Sequence, residues 1–102
     1  MKFEVTASFR RDLKRLSKGE RAIVRETLPT FVAACERFAA DRTAAWPASV
    51  RVKDVEDAPG IWEVTFHFAG PDIRATFEWV QIEGQLGVRW RRIGGHSIFK
   101  SP

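Results

Sequence analysis

The sequence predicts an α+β domain of element order β-α-α-β-β-β(-β): an antiparallel meander sheet with two N-terminal helices packed on one face. Three observations carry this. Apolar residues recur at helical spacing through the first 41 residues. Apolar and polar residues then alternate with a period of two over much of 50–93. Between the alternating runs lie Ala58-Pro59-Gly60, Ala69-Gly70-Pro71-Asp72 and Glu83-Gly84, residues that make short turns. No linker, repeat or low-complexity tract divides the 102 residues, so 1–102 reads as one domain.

The elements follow in order. MKFEVT alternates, with Phe3 and Val5 on one face of a short strand. Ser8 can cap a helix whose apolar stripe is Phe9, Leu13 and Leu16, and Lys18-Gly19 would end it. A second helical pattern runs from about Glu20 to Asp41, through Ile23, Val24, Leu28, Phe31, Val32, Cys35 and Phe38. Pro29 lies inside it and predicts a kink or break near Leu28. VRVKDV, IWEVTFHF, IRATFEWV and GVRWRRIG then read as strands joined by loops of about 3–5 residues.

Composition narrows the class. Hydrophobic residues make up 44% and aromatic residues 12% of the chain, which fits a globular domain with one modest core. No apolar run approaches the roughly 18 residues of a membrane span, and MKFEVTASFRRDL holds no apolar leader segment. Cys35 stands alone in an apolar helical pattern and reads as a buried thiol. Basic residues outnumber acidic ones, 17 to 13. They cluster at Arg10, Arg11, Lys14, Arg15, Lys18, Arg21 and Arg25, and again after Glu83 at Arg89, Arg91, Arg92 and Lys100. Clustered positive charge suits a polyanion, and also a solvated helix face.

Strand alternation sorts the candidate site. Trp62, Val64, Phe66 and Phe68 point toward the helices, as do Ile73, Ala75, Phe77 and Trp79. Glu63, Thr65 and His67, with Arg74, Thr76 and Glu78, point away. The two histidines, His67 and His96, both stand where a strand ends. A meander can bring such ends to one edge, beside Arg74 and Asp72. Histidines, an arginine and a carboxylate together suit acid–base chemistry on a phosphodiester.

These features resemble the RelE/ParE superfamily of bacterial type II toxin–antitoxin toxins, nearest the RelE/YafQ-like mRNA interferases. The likeness is carried by Phe9, Leu13 and Leu16, by VRVKDVEDAPGIWEVTF and IRATFEWV, and above all by the final RRIGGHSIFK. It implies a cytoplasmic endoribonuclease that cleaves mRNA, commonly on the ribosome, without metal or other cofactor. A cognate antitoxin protein would be its partner, and no membrane is involved. The implied reaction is attack of an RNA 2′-OH on its own 3′ phosphate. Arg74 falls where such enzymes place a phosphate-stabilising arginine, and His96 at the acid/base histidine. His67 and Asp72 resemble a His and Asp pair, with the spacing one residue longer. Phe99 takes the place of a terminal aromatic; it can stack on a base but cannot carry a proton. Glu63 and Thr65 stand where two strand lysines are usual, and the chain has no tyrosine.

Weaker assignments complete the set. Lys53 can touch RNA backbone or be a solvated edge lysine. By alternation Arg89 and Arg91 share a face that Arg92 does not, and at least one of the first two is expected on a phosphate. Two further readings stay open: a ParE-like toxin that binds DNA gyrase without cutting RNA, and a decayed RNA- or partner-binding module.

Overall fold

A computed structural model describes residues 1–66 and 73–102. His67 and Asp72 therefore lie outside the described residues. The order is β1 (Lys2–Val5), α1 (Ala7–Arg15), α2 (Lys18–Ala40), β2 (Arg51–Asp54), β3 (Trp62–Thr65), β4 (Arg74–Ile82) and β5 (Gln85–Gly94), followed by a 3₁₀ turn over His96–Lys100. The α+β class is as predicted.

The helix ends differ from the predicted ones. Thr6, not Ser8, caps α1: its hydroxyl accepts from the Phe9 N–H at 3.1 Å. Lys18-Gly19 opens α2 instead of closing α1, because Ser17 and Glu20 form a capping box there. Nor does Pro29 break α2, which runs unbroken over 23 residues. Phe31, Ala34 and Cys35 are buried on its C-terminal side and Ile23, Val24 and Leu28 pack against the core on its N-terminal side. That burial outweighs the one backbone hydrogen bond a proline removes.

Strand order across the sheet is β1-β5-β4-β3-β2. Strands β2 to β5 form the expected antiparallel meander. The sheet as a whole is mixed, however, because β1 pairs with β5 in parallel, Lys2 beside Gly87 and Val5 beside Trp90. This corrects the all-antiparallel expectation. Gly87 permits the approach, since a Cβ there would lie 2.8 Å from the Lys2 carbonyl oxygen. At the β4–β5 hairpin, Glu83 and Gly84 both have positive φ, 52° and 77°, the geometry of a tight type I′ turn.

The core lies between the sheet and the helices. Val64, Ala75 and Ile93 stand side by side on neighbouring strands, as do Trp62, Phe77 and Trp90. Phe31 of α2 packs on this floor, 5.3 Å from Phe77 and 5.1 Å from Trp90 between ring centroids. Each such pair contributes about 0.5–1.5 kcal/mol beyond its buried area. Phe38, Trp46, Trp62 and Trp79 form a second aromatic group at the side of this core.

Two departures shape the other side of the sheet. A bulge in β5 at Arg91 puts Arg92 opposite Thr76 and Trp90 opposite Phe77. The strict alternation that separated Arg92 from Arg89 therefore fails. The chain also stops being a strand at Gly94. Residues 95–102 cross the helix-free face, with Ile98 buried and Thr76 fully covered.

Candidate active site

Each strand that meets the helix-free face contributes polar side chains to it. Lys53 on edge strand β2 is paired in register with Glu63 on β3, and Glu63 with Thr76 on β4. Arg74, the first residue of β4, lies between Thr65 and Gly94. Gly94 then releases the chain into Gly95 and the 3₁₀ turn, which returns His96 and Phe99 toward Arg74.

The result is a cleft of about 450 Å³ lined by Lys53, Glu63, Arg74, His96 and Phe99, with Asp54 and Glu56 at its side. Four residues singled out in the sequence thus share one site: Lys53, Arg74, His96 and Phe99. An Arg74 guanidinium nitrogen lies 3.5 Å from His96 Nδ1. A guanidinium only donates, and it brings its fixed positive charge against the imidazole ring. The Arg74 guanidinium carbon sits 5.7 Å from the Phe99 ring centre, and the His96 ring 5.4 Å from it. His96 is exposed, whereas Arg74 and Phe99 are half-buried. The arginine lies over the Phe99 ring with its charge at the cleft.

Glu63 is the residue that sequence reasoning passed over. The sequence sets it on the outward face, where a lysine is usual in the resembled family, and does not mark it as a site residue. In the structure its side chain is largely buried in the cleft, and Lys53 Nζ approaches its carboxylate at 3.9 Å. The signal was available in its alternation, which puts it on the outward face beside Lys53.

Arg89 and Arg91 stand elsewhere. Arg89 is bound to Glu4 at 2.5 Å and Glu78 at 2.6 Å, and Arg91 to Glu78 at 2.7 Å. Hydrogen bonds to Glu4 and Glu78 push the Arg89 guanidinium above its already high ordinary pKa. Neither arginine lines the cleft. Arg92 is bound to Asp12 of α1 through contacts of 2.6 and 3.2 Å, and Asp12 also accepts from the Ile93 N–H at 3.1 Å. Burial pushes the Asp12 carboxyl up, yet these hydrogen bonds, with the charges of Arg92 and Arg15, bring it below its ordinary value.

Among the described residues, no three His, Cys, Asp or Glu side chains gather where they could hold a metal ion. Among the same residues no helix is long and apolar enough to cross a membrane. Burial pushes the Cys35 thiol up to about 12, which leaves it a thiol at neutral pH. Compared with protein-family models, with curated proteins and with solved structures, the chain has no significant match.

Proposed function

We propose that the chain is a RelE-like toxin, a metal-independent endoribonuclease that cleaves mRNA, on the ribosome, at the Arg74–His96 cleft. The observation that carries this reading is the 3.5 Å approach of Arg74 to His96 under the Phe99 ring. A phosphate cation, a proton carrier and a base-stacking ring are the parts such a cut needs.

The step is an internal transesterification. A base takes the proton of the 2′-OH, and the O2′–P bond forms as the P–O5′ bond breaks. The 5′-oxygen leaves with a proton, giving a 2′,3′-cyclic phosphate and a 5′-OH end. Glu63 acts as the base in this reading, supported by its position in the cleft with Lys53 beside it. The His96 ring supplies the proton to the leaving oxygen. Arg74 takes the extra charge on the non-bridging oxygens, where one such donor contributes about 3–4 kcal/mol. Phe99 stacks on a base.

The implied antitoxin also has a surface that fits it. Phe3 and Leu13, 37% and 38% exposed, are the exposed large hydrophobics among the described residues. With Val24 and Leu28 they line a groove between β1, α1 and α2. Arg10, Lys14, Arg21 and Arg25 border it. An apolar floor with a basic rim suits an acidic amphipathic segment. Leu13, part of the predicted apolar stripe of α1, stands in this groove because α1 turns Asp12 inward, toward Arg92.

The test is cleavage of mRNA by purified protein with translating ribosomes, followed by analysis of the ends. Cyclic phosphate ends, lost when a 2′-deoxy nucleotide is placed at the cut, are expected. Intact RNA, or cutting that survives the 2′-deoxy substitution, would count against the mechanism. A non-cleaving, gyrase-binding or RNA-binding protein is the second reading; it is favoured by Phe99, which cannot move a proton.

A further inference from the structure

His96 and Phe99 do not sit on the sheet. They belong to a strap, residues 95–102, that is tied to the sheet again at its other end. There the Pro102 main-chain oxygen accepts from the Thr76 hydroxyl at 2.9 Å and from Arg91 Nε at 3.1 Å. A guanidinium N–H of Arg92 donates to the Ser101 carbonyl at 3.1 Å. Between the two ends Ile98 is the buried anchor, close enough to Gly94 that a Cβ there would lie 3.2 Å from its methyl. Within the strap the 3₁₀ turn over His96–Lys100 is flanked by two backbone bonds, from the Ile98 N–H to the Gly95 carbonyl and from the Ser101 N–H to the Ile98 carbonyl.

We propose that Thr76 and Arg91 are positioning residues: they clamp residue 102, and through the short strap they hold His96 and Phe99 against Arg74. The inference deepens the cleavage reading and rests on it. Two features support it. Thr76 is a fully buried hydroxyl on the outward face of β4, and its hydrogen bond goes to the strap. A buried hydroxyl left unpaired is unfavourable, so the bond is strongly selected over an open strap. Arg91 is the bulged residue of β5, and a bulge re-aims a side chain. Its guanidinium is braced by Glu78 on one side while Nε faces the strap. In this arrangement the site is assembled by the strap, with Arg74 on the sheet and His96 and Phe99 delivered to it.

The experiment compares Thr76→Val, Thr76→Ser and Arg91→Gln in the full chain. Three quantities are read: the His96 ring resonances by NMR, hydrogen exchange of the Ser101 amide, and single-turnover RNA cleavage. Thr76→Val and Arg91→Gln are expected to shift the His96 signals and speed Ser101 exchange. Cleavage should slow about tenfold in rate constant with RNA affinity changed less than threefold. Thr76→Ser, which keeps the hydroxyl, should restore all three. Unchanged His96 signals in folded Thr76→Val and Arg91→Gln would overturn the proposal, as would equal effects from Val and Ser. Should Thr76→Val not fold, Arg91→Gln decides alone, since Arg91 is only half-buried. If the wild type cuts no RNA, the cleavage reading fails while the NMR and exchange measurements still decide the positioning.

Discussion

Asp12 and Arg92, 80 residues apart, meet through two hydrogen bonds of 2.6 and 3.2 Å and tie α1 to the bulged end of β5. Asp12 is nearly fully buried and also accepts from the Ile93 N–H. Asp12→Ala would leave that N–H and the Arg92 charge unpaired, at a cost of about 2–3 kcal/mol. Chemical denaturation measures this. A loss below 0.5 kcal/mol, on the order of an exposed ion pair, would contradict the assignment.

The same pair sets an acid limit. Because the folded Asp12 pKa is lowered, its contribution is complete above the ordinary carboxylate value of 3.8. It is lost as pH falls through the still lower folded value. The difference in Tm between wild type and Asp12→Asn should therefore narrow on going from pH 6 to pH 3. A gap that stays constant or widens would refute the linkage.

Arg74 and Arg89 are predicted to differ in RNA binding. Arg74→Ala should weaken binding and flatten the dependence of log K on log salt by about 0.7, the loss of one phosphate contact on a single strand. Arg89→Ala removes a guanidinium already bound by Glu4 and Glu78, so the salt slope should hold. Equal changes in slope for the two variants would move the RNA site toward β5.

Phe99→Leu keeps apolar bulk but removes the ring beside Arg74 and His96. Stacking on a base is worth about 1–3 kcal/mol, so RNA affinity should fall about tenfold, with the fold intact by circular dichroism. Unaltered affinity would assign the ring to holding Arg74 alone.

Cys35, fully buried with its pKa pushed up to about 12, should resist alkylation at pH 7.5 in the native protein. It should react at the rate of an ordinary thiol once the protein is unfolded in guanidinium. Rapid labelling of the native state would mean that the core opens locally around α2.

Much of this was legible in local pattern. Period-two alternation placed Arg74 and Thr76 on the outward face, and Glu83-Gly84 announced its turn. The parallel partner of β1 was not legible, because alternation states which face a strand buries and not which strand it joins. The bulge at Arg91 adds a single residue, which no periodicity shows, and it changed the placing of Arg92. Leu13 fitted an apolar stripe, yet Asp12 took the inward position because its partners, Arg92 and Ile93, lie on the last strand. At the site, the pairing of Arg74 with His96 depends on the path of the chain after Gly94, which is set by burial of Ile98 and by the Pro102 contacts. Glu63 was readable as outward-facing but not as part of a cleft, since the strap that closes the cleft belongs to the far end of the sequence.

The central claim is a cut that depends on His96. The most direct measurement expresses the wild type and His96→Ala from a tightly controlled promoter in a bacterium, with growth and global mRNA decay followed together. The account predicts arrest with rapid mRNA loss in the wild type, and normal growth with stable mRNA in folded His96→Ala. Arrest by both proteins with mRNA intact would contradict it and point to a poison that acts by binding.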